Sequence, residues 1–225
     1  MAINKTTTLI KYYLYLWGLY IIFFTIFGIL KTQFPEIFER DYEQSALREL
    51  LKNNPLKLFV LAVLFAPVIE EMMFRTLIKP SHSDIILLLC SWPLFYSNKF
   101  IPADVHWAVK LGFIAIFLFT VFTILKQLIP EQRTLKIRNF LSRHSMVVLI
   151  ASSLLFGMVH INNYVDTFVL NAALIALIIP RIISGFMMGL LKIKNKNIVW
   201  PMALHAMNNG FVIIILILSK TMENS

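Results

Sequence analysis

Residues 58–75 read Leu58-Phe-Val-Leu-Ala-Val-Leu-Phe-Ala-Pro67-Val-Ile-Glu70-Glu71-Met-Met-Phe-Arg75. A long apolar run ends in two adjacent carboxylates and, one helical turn later, an arginine. A charged side chain at the centre of a bilayer costs about 2.5–3.5 kcal/mol on insertion scales. Such groups therefore face either water at a membrane surface or a polar interior built by neighbouring helices. Helix geometry divides the trio. Glu71 and Arg75 are four apart, share a face and can pair, while Glu70 is turned about 100° away and stays available. Pro67 withholds a backbone N–H just upstream and can open the helix near Glu70. Two readings stand at this point: a helix end meeting water, and a functional polar site inside the membrane.

Working outward, the whole chain shares the character of this segment. Of 225 residues, 58% are hydrophobic and only 15% charged, with a mean hydropathy of +0.74. That leaves too little polar surface for a soluble domain. A membrane-spanning helix needs about 20 apolar residues, and runs of that kind fall at about 9–30, 56–78, 84–98, 108–129, 145–161, 167–191 and 198–219. The 84–98 run is short for a span. Residues 32–55 mix charges with Phe34, Ile37, Phe38, Leu47, Leu50 and Leu51, as an amphipathic helix lying in the interface would. The expected fold is all-α: a polytopic bundle of about seven (six to eight) transmembrane helices around a polar intramembrane cavity. It forms one membrane domain over 1–225, with 9–55 as N-terminal anchor and interfacial segment and 56–219 as the catalytic helical core.

The net charge of +9 is carried largely by short stretches between apolar segments. Lys126, Arg133, Lys136, Arg138 and Arg143 lie in one, Lys192, Lys194 and Lys196 in another. That is the distribution of loops held beside anionic head groups on the cytoplasmic side, and it places the N-terminus inside. No nucleic-acid motif accompanies the charge, so the expected partners are the lipid bilayer and a peptide or protein at the membrane, not nucleic acid. Cys90 is the only cysteine, which excludes a disulfide framework and a cysteine zinc site; it reads as a small hydrophobe.

Two later segments repeat the pattern of polar groups where lipid should not tolerate them. Phe156 and His160 are four apart near the end of the fifth segment, so the ring can pack on the imidazole. His205 and Asn209 share a face of the seventh. Each alone is compatible with a structural histidine or with interhelical glue. If the three faces converge, they supply a general base, imidazoles and hydrogen-bond donors around one cavity, an inventory for activating water and stabilising a tetrahedral oxyanion.

Glu70-Glu71-Met-Met-Phe-Arg75, Phe156-Gly-Met-Val-His160 and His205-Ala-Met-Asn-Asn209, in this order on separate apolar segments, resemble the EExxxR, FxxxH and HxxxN motifs of the CPBP intramembrane proteases, also called the CAAX-protease and bacteriocin-processing (Abi) family. Ser184-Gly-Phe-Met-Met-Gly-Leu-Leu-Lys192, leading to Trp200-Pro201, is also similar to the family, and the resemblance spans about residues 58–215. It implies an intramembrane glutamate endopeptidase with site residues Glu70, Glu71, Arg75, His160, His205 and Asn209. By that analogy Glu70, helped by His160, activates water, His205 and Asn209 form the oxyanion site, and Glu71 with Arg75 holds the architecture. The family is also discussed as metal-dependent, and Glu70, His160 and His205 form a legitimate zinc set. Asn209 is a poor zinc ligand and a good oxyanion donor, which favours a metal-free site without a cofactor.

Other intramembrane chemistries lack their motifs. There is no HExxH, no GxSxG, and Asp84, Asp104 and Asp166 all sit at segment edges. Two alternatives from other classes remain, a catalytically idle immunity or scaffold protein and a small transporter using Glu and His as a relay. The intact set of Glu70, His160, His205 and Asn209 argues against the first, and the lack of internal repetition against the second. One expectation conflicts with a single site: counting 1.5 Å per residue from the loops puts His160 nearer the outer side and Glu70 and His205 nearer the inner side. The substrate class that suits such a site is a membrane-associated, possibly lipidated peptide, and the resemblance suggests a bacterial inner membrane.

Overall fold

The computed structural model describes residues 4–39, 42–95, 101, 105–165, 169 and 171–223. Among these residues there are helices and turns and no strand. The bundle follows from composition: in hydrocarbon every backbone polar group must be satisfied within its own segment, and a helix does this.

Helix α1 (Lys5–Gln33) starts on Asn4, whose side chain accepts the Thr6 N–H. A 3₁₀ turn (Pro35–Phe38) and α2 (Ser45–Asn53) follow. α2 separates apolar and polar faces strongly, as expected for the interfacial 32–55 stretch. Next come α3 (Pro55–Val60), a π turn (Leu61–Phe65) and α4 (Ala66–Phe74), which form one interrupted helix. The later helices are α5 (His82–Phe95), α6 (Trp107–Leu128), α7 (Glu131–Arg143), α8 (Ser145–Val159), α9 (Ala172–Asn195) and α10 (Val199–Glu223).

Among the described residues, five helices are long and apolar enough to cross a membrane, at Lys5–Gln33, Trp107–Leu128, Ser145–Asn163, Ala172–Asn195 and Val199–Ser219. The expected count of about seven is therefore met only with two shorter elements. The 56–78 run is broken by the π turn, and α4 stops at Phe74. The 84–98 run is the fourteen-residue α5, about 21 Å at 1.5 Å per residue; residues 96–98 lie outside those described, as do Asp104 and Asp166. Side chains such as Ile116 (70% exposed) and Phe119 (74%) on α6 face outward, which water would not tolerate over a whole helix and lipid does.

Two basic stretches read as loops are in fact helical. Residues 131–143 form α7, whose Thr134 hydroxyl lies 3.0 Å from His82 Nδ1. Residues 192–195 are the last turn of α9, which ends where Lys196 adopts a left-handed conformation (φ 57°). Lys192 faces inward, 2% exposed. Its ammonium donates to the carbonyls of Arg75 (2.6 Å) and Thr76 (3.2 Å) and pairs with Asp84 (3.3 Å). It thus caps the C-terminal end of α4, where carbonyls lack intrahelical partners.

Close helix approach depends on small residues, the usual device where lipid removes the hydrophobic drive for association. At Gly157 on α8 a methyl would stand 2.3 Å from Ile182 Cγ1, and at Gly189 on α9 it would stand 2.2 Å from Leu149 Cδ1. A methyl at Gly185 would crowd Arg75 Nη2 (3.1 Å) and Phe156 Cδ1 (3.2 Å). The glycines in the Ser184–Lys192 stretch therefore bring α9 against α8 and leave room for Arg75. Leu9, Leu16, Tyr20, Met187, Met188, Leu191 and Leu204 form the main apolar cluster, joining α1 to α9 and α10.

Candidate active site

The site begins with a defect in a helix. In the π turn the Ala66 N–H bonds to the Leu61 carbonyl, five residues back. The next bond in that register would run from residue 67 to the Ala62 carbonyl, but Pro67 has no N–H. The side chain of Asn209 on α10 takes its place, donating from Nδ2 to the Ala62 carbonyl at 2.9 Å. An acceptor stranded in the membrane is thereby satisfied, and α4 is locked to α10 a few residues before the carboxylates. The upstream opening expected from Pro67 is present as a π turn; the Asn209 amide is directed at the backbone.

Glu71 points into the bundle and is fully buried. Its Oε1 lies 2.9 Å from His205 Nδ1, and its Oε2 stands 3.2 Å from Arg75 Nε as the expected i, i+4 pair. The latter contact is an ion pair without the angles of a hydrogen bond. Arg75, also fully buried, lays its guanidinium 4.5 Å from the centre of the Phe156 ring and donates from Nη1 to Ser152 Oγ at 3.4 Å. Ser152 in turn donates to the Phe74 carbonyl. Phe156 is the hub of this layer: its ring lies 5.3 Å from Phe74, 4.6 Å from His160 and 5.8 Å, edge-on, from His205.

His160 closes α8. Its Nδ1 sits 2.6 Å from the Phe156 carbonyl. A carbonyl can only accept, so Nδ1 carries a hydrogen and Nε2 of the neutral ring presents its lone pair. For His205 the acceptor at Nδ1 is the Glu71 carboxylate, and in its charged form the ring also donates from Nε2. Both Nε2 atoms are 3.8 Å from Glu70 Oε2. That oxygen has no hydrogen-bond partner among the described residues. A gap of 3.8 Å is too long for a direct hydrogen bond, yet a water oxygen about 2.8 Å from Glu70 Oε2 and from either Nε2 would bridge it. The Glu70 side chain, 27% exposed, is the most open of the group, against 11% for His160, 2% for His205 and none for Glu71.

The depth conflict in the sequence thus resolves in favour of convergence. α8 is fifteen residues long, about 22 Å at 1.5 Å per residue, and gives way to a 3₁₀ segment at His160 (His160–Asn163), so His160 stands at that junction beside Glu70. Glu70, Glu71, Arg75, His160 and His205 meet in one layer, with Asn209 behind it on the Ala62 carbonyl.

The donor set Glu70, His160 and His205 has the right chemistry for zinc, but its spacing is wide. Zn–N and Zn–O bonds of about 2.0–2.1 Å in a tetrahedron give ligand atoms about 3.3 Å apart, half an ångström closer than the two 3.8 Å separations here. Among the described residues no group of three or more His, Cys, Asp or Glu is arranged to hold a metal ion.

Two polar groups near the site escaped the sequence reading. Lys192 was counted with the basic loop; its signal was its place in the last turn of an apolar helix. Arg181, mid-way along α9, lies within electrostatic reach of Glu70 and His160. Its signal was plainer, since an arginine embedded in the apolar run 172–191 is a functional candidate by default.

Comparison with known families adds one match: a model described as "Type II CAAX prenyl endopeptidase Rce1-like" aligns with residues 52–211. No curated protein and no solved structure matches.

Proposed function

Because the chain belongs to the Rce1-like family of type II CAAX prenyl endopeptidases, a family of membrane-embedded peptidases, we propose that this multi-pass membrane protein hydrolyses a peptide bond of a membrane-associated or lipidated peptide with a water activated by Glu70. The observation that carries this reading is the approach of Glu70 Oε2 to within 3.8 Å of Nε2 on both His160 and His205. Glu70 removes a proton from water, and the oxygen attacks the carbonyl carbon of the scissile bond. His205, held by the Glu71 carboxylate, donates from Nε2 to the developing oxyanion. His160 relays the proton to the departing amine, its tautomer set by the Phe156 carbonyl. Glu71 and Arg75 orient His205 and do not touch substrate. Asn209 is a positioning residue, acting through the backbone that carries Glu70. The spacing of the three groups favours a metal-free mechanism, and a bacterial inner membrane is the proposed location.

The test compares purified wild type with Glu70→Gln in liposomes, using quenched peptides that include prenylated members, with a chelator in a parallel arm. Removing a positioned general base costs roughly 10²–10⁴ in rate, so cleavage should fall at least a hundredfold in Glu70→Gln while the chelator leaves wild type unchanged. Equal cleavage by both proteins would remove Glu70 from the mechanism. Inhibition by chelator, reversed by zinc, would replace the metal-free reading.

A further inference from the structure

Beside the catalytic layer, a cavity of about 240 Å³ opens between α1, α9 and α10. Aromatic side chains, with Trp17, Tyr20 and Phe24 from α1 among them, form half of its lining, which also carries Arg181 and Asn208. It adjoins the site by helix geometry. His205, Asn208 and Val212 follow at i, i+3 and i+7 along one face of α10. The Tyr20 hydroxyl lies beside Ser184 and Asn208, and Ser184 immediately precedes the glycine that accommodates Arg75.

Two other cations within the bundle have close carboxylate partners. Arg75 pairs with Glu71, and Lys192 with Asp84. Arg181 is different: its guanidinium has no hydrogen bond and no carboxylate within 4.0 Å among the described residues. It nevertheless stands nine residues into a 24-residue apolar helix, about 13 Å from the helix start. Asn208 is 3% exposed, and its Oδ1 also has no partner. An unpaired cation and an unpaired acceptor in the wall of one apolar cavity are complementary to a ligand that brings an anion, an N–H and an apolar group together.

Resting on the endopeptidase reading above, we infer that Arg181 and Asn208 anchor the free C-terminal residue of the peptide substrate. The terminal carboxylate pairs with the guanidinium, the terminal N–H donates to Asn208 Oδ1, and the apolar side chain lies against the aromatic wall. Arg181 suits this role because its planar fork takes a carboxylate through two parallel bonds. A lipid phosphate shares the anionic chemistry but brings no N–H to the Asn208 oxygen, which favours the peptide.

The experiment measures binding, not cleavage. A fluorescein-labelled S-farnesyl pentapeptide ending in leucine, as free acid and as C-terminal amide, is titrated into Glu70→Gln protein in phosphatidylcholine nanodiscs. The acid should bind at least about tenfold tighter, as a charge-assisted pair predicts. Adding Arg181→Gln should abolish that preference while leaving amide binding in place, and Arg181→Lys should restore part of it. Equal affinity for acid and amide with Arg181 intact overturns the assignment, and this comparison needs no variant at 181 to fold. Loss of the acid preference when phosphatidylglycerol replaces part of the phosphatidylcholine would give the cation to lipid head groups and equally overturn it. If Arg181 served only as a distant counter-charge to Glu70, Arg181→Gln would slow cleavage of acid and amide alike without altering their relative binding. A persistent acid preference in a protein whose Glu70 proves dispensable for cleavage would retire the mechanism and keep the anchor.

Discussion

Replacing Asn209 by alanine tests whether that side chain serves the backbone or the substrate. The amide's 2.9 Å bond to the Ala62 carbonyl fills the position that Pro67 leaves empty in the π register. Asn209→Ala strands a carbonyl inside the bundle. An unsatisfied buried acceptor costs about 1–3 kcal/mol, and intramembrane hydrogen bonds measured by double-mutant cycles reach about 1.7 kcal/mol. A loss of about 1–2 kcal/mol is therefore expected, or roughly 2–8 °C in melting temperature for a chain of this size. Pro67→Ala returns an N–H at the position from which the Ala62 carbonyl can be reached. In the double variant Pro67→Ala/Asn209→Ala the backbone then repairs itself, so the cycle should show a coupling of about 1 kcal/mol, with the double variant more stable than the sum of the singles predicts. The assay is thermal unfolding of the four proteins in one detergent, with cleavage measured in parallel. Recovery of both stability and cleavage supports a positioning role. Additivity within about 0.5 kcal/mol would refute the reasoning, and recovered stability without recovered cleavage would return Asn209 to the substrate.

Lys192→Met removes the donors from the Arg75 and Thr76 carbonyls and leaves Asp84 unpaired; breaking a buried pair in this way costs about 3–5 kcal/mol. Lys192→Met/Asp84→Asn should regain part of that, read as detergent-solubilised yield and melting temperature. Gly189→Ala places a methyl 2.2 Å from Leu149 Cδ1 and should destabilise by about 1–3 kcal/mol, with Leu149→Ala as the compensating change. Ser152→Ala frees the Phe74 carbonyl and one Arg75 contact; it should lower melting temperature by a few degrees at about 1 kcal/mol while the ratio of cleavage to folded protein stays constant.

Much of this arrangement is legible from spacing alone. α1, α6, α9 and α10 follow from unbroken apolar runs, and Glu71 with Arg75 from the i, i+4 rule. The convergence of the three motifs is visible as an expectation because each motif breaks the same rule against polar groups in lipid. Depth is not visible. His160 was misplaced because a count from the loops sets a depth along each helix separately and carries no information on how neighbouring helices are offset. α7 escaped because a short helix with charges throughout has a loop's composition. The π turn escaped because the proline marks a missing donor but not which carbonyl suffers or who repairs it. That answer lies on α10, more than a hundred residues away. Lys192 was assigned to solvent by its neighbours Lys194 and Lys196, whereas its own partners belong to α4 and α5.

The stretch matched to the family runs from 52 to 211, and α1 lies wholly outside it. Yet α1 supplies the aromatic side of the cavity that flanks the glutamate and histidines. The glutamate and histidines and the aromatic side of the cavity beside them thus reside on different portions of the polypeptide. A change in the first helix can re-tailor what is admitted without disturbing a single reacting atom, so one hydrolytic kernel can be fitted with many doorways.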